Sequence, residues 1–171
     1  IIADVTTGEI LALANYPGYD PNNTKSAHFE NRRNRGVTDM YEPGSTLKPL
    51  ITGIALERGI PKSTQIYCEK GRFKVGDRII SEAETHEKFE WLTLTEIIKR
   101  SSNIGAAKLA LNLGSETLTR FFTHMGLGAK TGLDLPGESA GLSQRPEDFA
   151  KSLKSQVKLA NVGFGQGITA T

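Results

Sequence analysis

The chain has 171 residues, with 21 basic and 19 acidic side chains and a net charge of +2. That length suits one domain or part of a larger one, and so even a charge balance argues against a nucleic-acid or membrane-surface partner. With 37% hydrophobic and 23% charged residues the composition is ordinary for a globular protein, and no apolar run is long enough to span a bilayer.

The opening Ile1–Asn15 alternates around Thr7-Gly8-Glu9 and predicts a β-hairpin, with Gly8 supplying positive φ. Tyr16 to Asn23 is turn chemistry, and Glu30 to Asp39 is polar. From Ser45 to Arg58 the apolar residues Leu47, Leu50, Ile51, Ile54 and Ala55 form a helical stripe, stopped by Gly59 and Pro61. Phe73 to Ile80 reads as a short strand pair. Leu92 to Gly114 is helical in pattern on both sides of Ser101-Ser102-Asn103. Gly114 suits a C-cap and Ser115 an N-cap for a helix through Met125, with Glu116 in its first turn. Gly126 to Leu142 is a Gly- and Pro-rich loop, and Pro146 to Asn161 reads as a further helix. Strands and helices are mixed without βαβ alternation, which predicts an α+β fold. Both ends read as the interior of a fold, so the expectation is a segment whose targeting signals lie outside it.

Cys68 is the single cysteine and has no internal partner for a disulfide. With His28, His86 and His124 scattered along the chain it makes no zinc pattern, so a small, partly buried side chain is expected. Redox compartment stays open.

Ser45 and Lys48 stand three apart between Glu42-Pro43-Gly44 and Pro49. If Ser45 begins the helix, Lys48 follows one turn later on the same face, where the side chains can touch. Ser45 would then lie beside free backbone N–H groups at the positive end of the helix dipole, which suits a developing oxyanion. A desolvated lysine there is pushed toward its neutral form and can act as a base. Pro49 fits only near a helix start. The competing reading is an N-capping serine and a surface lysine. Spacing alone does not decide, since Ser155 and Lys158 share it on what reads as a solvated helix.

Ser101-Ser102-Asn103 supplies a hydroxyl and an amide between two helical runs. They can relay a proton and hold a carbonyl or a lysine; equally, they can satisfy backbone groups at a helix–helix joint. Ser-x-x-Lys followed by Ser-x-Asn resembles the first two boxes of penicillin-binding proteins and β-lactamases. The resemblance extends over nearly the whole chain. Thr7 to Asn23, Asn31 to Pro49, Leu92 to Ala110, Met125 to Glu138 and Val162 to Thr171 are similar, in order and spacing, to the transpeptidase domain of class B penicillin-binding proteins of the cell-division type. That family implies a penicillin-binding serine-transpeptidase fold, an antiparallel sheet flanked by helices, incomplete in this chain.

The resemblance implies that Ser45 is the acylated nucleophile, Lys48 its proton acceptor, Ser101 a relay toward the leaving group and Asn103 an orienter of bound peptide. The backbone N–H of Ser45 would help hold the oxyanion. The implied reaction is acyl transfer from a D-Ala-D-Ala stem peptide of peptidoglycan to a neighbouring amine, with β-lactams acting as donor mimics. No metal or organic cofactor is implied. The implied partners are stem peptides, β-lactams, a membrane glycosyltransferase and division proteins, and no nucleic acid. The implied location is the outer side of the cytoplasmic membrane, on an anchor outside this chain.

A third box, Lys-Thr/Ser-Gly on a strand, is expected by resemblance. Lys130-Thr131-Gly132 has those residues but lies in the Gly/Pro loop, so residues 1–171 are expected to be the N-terminal part of the domain, without the third box. The Gly-Phe-Gly-Gln-Gly run from Gly163 to Gly167 lacks the spacing of a phosphate loop. Arg32, Arg33 and Arg35 could steer an anionic substrate or sit in structural ion pairs. Trp91 and Phe89 are expected to pack, and Glu82, Glu84 and Glu87 to form a solvated loop. Two rival readings remain: a carboxypeptidase or β-lactamase on the same fold, or a non-catalytic penicillin-binding sensor or scaffold. A long-lived penicilloyl adduct would separate the first from a transpeptidase, and no acylation at all would favour the second.

Overall fold

A computed structural model describes residues 1–23, 25, 28–141, 151–152 and 155–171. Three antiparallel strand pairs and five α-helices follow one another in blocks along these residues, in keeping with the expected α+β class. Strands β1 (Ile2–Ala3) and β2 (Ile10–Ala12) form the predicted hairpin, and Gly8 has φ +79°. The Asp4 carboxylate accepts from Thr6 N and Thr7 N within this turn, which fixes its path. β3 (Gln65–Tyr67) pairs with β6 (Trp91–Thr93), and β4 (Arg72–Val75) with β5 (Arg78–Ser81). Gly76, at φ +58°, takes the first position of the two-residue β4–β5 turn, where a type II′ hairpin requires glycine.

The helices are α1 (Arg35–Thr38), α2 (Lys48–Glu57), α3 (Leu94–Arg100), α4 (Asn103–His124) and α5 (Gln156–Gly163). Helix α3 begins with a capping box between Thr93 and Glu96 and ends at Ser101 in the left-handed region. Helix α4 breaks its geometry at Gly114, φ +79° and ψ 161°, where the sequence places a boundary. Of the helix predicted from Pro146 to Asn161, residues 146–150 and 153–154 lie outside the described residues. Helix α5 runs two residues past the predicted end at Asn161.

The core lies between α2, α3, α4 and α5. Ile51 and Ala55, Ile97, Ile104 and Leu109, and Ala160 are buried there. Each large aliphatic side chain removed from water contributes roughly 1.5–3 kcal/mol. Leu50, which the sequence puts on the buried stripe of α2, is 37% exposed. Helix α5 crosses α4 closely: a Cβ at Gly163 would stand 2.6 Å from the Ala106 carbonyl oxygen. Among the described residues no helix is long and apolar enough to cross a membrane.

Beyond α5 the chain returns to the segment that precedes α2. Tyr41 and Ala170 exchange backbone hydrogen bonds of 2.9 and 3.0 Å, and Gly44 N donates to Gly165 O at 3.0 Å. Gly167 N donates to the Glu42 carboxylate at 2.8 Å. Gly165 has φ +80°, and a Cβ there would overlap the Gly44 backbone. Both the conformation and the contact demand glycine.

Candidate active site

Gly44, at φ +57°, turns the chain from Pro43 into a short 3-10 turn, Gly44–Leu47, that leads into α2. In a 3-10 turn residues i and i+3 lie one above the other. Ser45 and Lys48 therefore stack more directly than in an α-helix, and Lys48 N donates to Ser45 O. Ser45 is exposed and lies inside the turn; its side chain caps nothing. The N-cap alternative is thus not what the structure contains. Thr46 Oγ1 instead closes the turn by donating to Pro43 O at 2.7 Å. The Ser45 N–H belongs to the first turn, whose amides lack intrahelical acceptors.

Lys48 is only 2% exposed. It shares the inward face of α2 with Ile51, Thr52 and Ala55, at helical intervals of three, four and seven. Its ammonium donates to Ser101 O at 2.5 Å, Ser101 Oγ at 3.0 Å and Asn103 Oδ1 at 2.7 Å. Those three bonds use all three donors, so the expected Ser45–Lys48 contact is not a hydrogen bond here. Burial pushes the Lys48 pKa down to about 8, while the charges of Glu82 and Glu87 pull upward. At pH 7 about a tenth of such lysines is neutral.

A neutral amine has a lone pair that must face a proton donor. Ser101 O and Asn103 Oδ1 only accept, so of the three partners only the Ser101 hydroxyl can turn its proton toward Nζ. Ser45 supplies a further hydroxyl one turn away; that of Thr52, on the same face, is spent on Lys48 O at 2.9 Å. The arrangement can accept a proton from a serine and pass one through Ser101.

Ser101 adopts φ +55°, ψ 38°, an uncommon conformation for a residue with a side chain, and Ser102 caps α4 by accepting from Gly105 N at 3.0 Å. This two-residue joint aims the oxygens of Ser101 and Asn103 at Lys48. Glu82, expected in a solvated loop, is 7% exposed and holds the joint from the opposite side. Its Oε1 accepts from Ser102 Oγ at 2.7 Å and its Oε2 from Asn103 N at 2.6 Å. The signal was present in the sequence: Ile80 is buried in β5, and the period of two carries the next inward position to Glu82.

Lys48, Ser101 and Asn103 thus meet around α2 and the α3–α4 joint, with Ser45 one 3-10 turn before Lys48. Lys130-Thr131-Gly132 does not join them. It lies in a loop whose Thr131 N and Oγ1 donate to Glu138 Oε1 at 2.6 and 2.5 Å. Arg33 pairs with Asp39 at 2.9 Å and Glu30 at 3.6 Å, the structural role allowed for it. Arg35 leaves one buried guanidinium nitrogen without a hydrogen-bond partner. Trp91 packs on Tyr67, with ring centres 5.1 Å apart, yet stays 57% exposed, so packing covers only part of it. Cys68 is fully buried, more than expected, and its burial raises the thiol pKa.

The sequence matches the family described as penicillin binding protein transpeptidase domain over residues 1–171. It is 36% identical over 171 residues to peptidoglycan D,D-transpeptidase FtsI of Escherichia coli strain K12, covering 100% of this chain and 28% of that protein. Identity to the probable peptidoglycan D,D-transpeptidase PenA of Neisseria gonorrhoeae is 35% over 168 residues, covering 98% of this chain and 27% of that one. The chain therefore spans little more than a quarter of these relatives. Among solved structures it resembles the apo TP domain of penicillin-binding protein 3 from Burkholderia pseudomallei, with TM-score 0.71 and 29% identity over 81% of this chain and 40% of that one. A structure titled as a peptidoglycan glycosyltransferase from Burkholderia ambifaria gives TM-score 0.80 and 31% identity, over 99% of this chain and 47% of that one. With a fold, a pair of boxes and a family match that agree along its whole length, the chain belongs to the penicillin-binding protein transpeptidase domain family.

Proposed function

We propose that this chain carries the acylating part of a peptidoglycan D,D-transpeptidase site. The observation that supports it most is the buried Lys48, one 3-10 turn from an exposed Ser45 and bonded to Ser101 and Asn103. Ser45 Oγ attacks the carbonyl of the penultimate D-Ala of a stem peptide, and its proton passes to Lys48 Nζ. The oxyanion forms beside the Ser45 N–H. Collapse of that intermediate breaks the terminal peptide bond, and the released D-Ala amine takes its proton through Ser101. An amine of a neighbouring stem peptide then displaces Ser45 from the ester and completes the cross-link. A β-lactam follows the first half of this path and stays on Ser45. Asn103 orients the peptide, with no cofactor in any step.

The relatives' names support a role in peptidoglycan synthesis; the septal wall as its site, and a membrane glycosyltransferase and division proteins as its partners, are part of the same proposal. We place the domain outside the cytoplasmic membrane, where the substrate lies; fractionation of the native protein into the cytosol would refute this. We also take the functional Lys-Thr/Ser-Gly box to lie beyond residues 1–171.

The test is covalent labelling of the full-length protein with a fluorescent penicillin. Ser45→Ala is expected to abolish the label while the fold survives, and Ser155→Ala to label normally. A label that persists in Ser45→Ala, mapped by mass spectrometry to Ser101 or Ser155, overturns the assignment. A stable adduct in the parent also separates this reading from a β-lactamase, which would release it.

A further inference from the structure

We propose that Glu82 is a positioning residue for this site, its carboxylate fixing the Ser101–Asn103 joint that presents three oxygen acceptors to Lys48. The proposal rests on the acyl-transfer reading above.

The geometry carries it. Asn103 is held twice from the end of β5: its N–H donates to Glu82 Oε2 at 2.6 Å, and its side-chain Nδ2 donates to Ser81 O at 3.1 Å. With Nδ2 committed to Ser81, the amide can turn only Oδ1 toward Lys48, where it accepts at 2.7 Å. Glu82 Oε1 holds Ser102 Oγ at 2.7 Å, and that oxygen in turn caps Gly105 N. Ser101, in its left-handed conformation, lies between α3 and this clamp. Such a conformation persists only where its surroundings over-determine it. A capping role alone would need just one of these bonds, whereas the carboxylate holds both residues that follow Ser101.

Charge adds a second effect. Burial lowers the proton affinity of Lys48, and Glu82 and Glu87 oppose that shift. On its other side Glu82 lines a cavity with Lys70, Arg72, Glu84, Glu87 and Lys88. The Cys68 thiol also lies near Ser102, 3.6 Å from Ser102 Oγ, with Lys108 and Glu69 acting on it in turn.

The experiment compares Glu82→Ala and Glu82→Gln in the full-length protein, by penicillin acylation rate against pH and by amide hydrogen exchange at Asn103. Glutamine can accept from Asn103 N and donate to Ser102 Oγ, so it preserves the clamp without the charge. Glu82→Ala is expected to slow acylation of Ser45 by about 10–100-fold and to speed exchange at Asn103. Glu82→Gln is expected to recover at least about tenfold of that loss. Its acid limb should lie at lower pH than in the parent, because Lys48 loses an opposite charge. Acylation of Glu82→Ala within about threefold of the parent, with an unmoved acid limb, overturns the proposal. So do equally slow variants with unmoved limbs, the signature of a purely structural residue. If the parent forms no adduct on Ser45, the transpeptidase reading falls. The clamp is then judged by exchange: faster at Asn103 in Glu82→Ala but not in Glu82→Gln supports it, and unchanged exchange overturns it.

Discussion

Two serine–lysine pairs with the same spacing stand at the starts of two helices. At α5, Ser155 precedes the helix without a side-chain cap, and Lys158 is exposed. That helix turns Leu159, Ala160, Val162 and Gly163 inward, so Lys158 falls on the solvent side. At α2 the same spacing sits in a 3-10 turn, and the inward face includes the lysine itself. Lys48 there meets two residues from the α3–α4 joint, 53 and 55 positions further along the chain. What distinguishes the two pairs is therefore which helix face the lysine occupies and what folds against it. The spacing alone does not separate them.

The comparison is broken most directly at the lysines. Lys48→Ala is expected to slow penicillin acylation of the full-length protein by on the order of 10²–10⁴-fold, as loss of a positioned base does. Lys48→Arg should not restore it, since a guanidinium stays protonated. Lys158→Ala should leave the rate unchanged. Equal losses at the two lysines would erase the distinction.

Acidity sharpens it. With Lys48 near 8 and active as the neutral amine, acylation should fall about 50-fold from pH 8 to 6, approaching tenfold per pH unit at the acid end. A rate flat across this range would exclude Lys48 as the base. Stability should show the same group. Its folded pKa lies below the ordinary 10.5, so the unfolded chain binds the proton more tightly. The buried ammonium then costs roughly 3 kcal/mol below about pH 8, and that cost fades as pH rises toward 10.5. Urea unfolding should show the parent gaining on Lys48→Met by that order between pH 7 and 10.5. Lys158→Met should track the parent throughout.

The smallest effect belongs to Lys130. Its loop is closed by Glu138 and shares no hydrogen bond with the Ser45 site. Lys130→Ala in the full-length protein should leave acylation within about threefold. A loss of 100-fold or more without unfolding would place the third box in that loop.

Much of this was legible in the sequence, and for identifiable reasons. The hairpins and helices announced themselves through alternation, Gly8 and Gly114, because these are local signals. Ser45, Lys48, Ser101 and Asn103 stood out through their two boxes. The 3-10 start of α2 was not legible, because it depends on Gly44 being held by Gly165 from the far end of the chain. Glu82 was hidden by its neighbours. Acidic residues crowd Ser81 to Glu90, and that composition masks the single position which the strand period turns inward. A lysine held by the Asn103 amide was among the readings the sequence allowed, but the two acceptors from Ser101 were beyond pattern reading, since they depend on a left-handed serine that nothing in Arg100-Ser101-Ser102 requires.

The close packing of Gly165 on Gly44 has a bearing on the order of folding. The supporting bond from Gly167 to Glu42 joins residues 125 positions apart. Contacts of that separation must close a long loop before they return any energy, so they form after the local hairpins and the α3–α4 joint. During synthesis from the N-terminus, the serine is translated 120 residues before Gly165 (165 − 45), and the frame around it waits for Gly165 to emerge. Until then Ser45 is an ordinary hydroxyl on an unframed turn. On the proposed reading, its reactivity is delayed until Gly165 is in place to frame it.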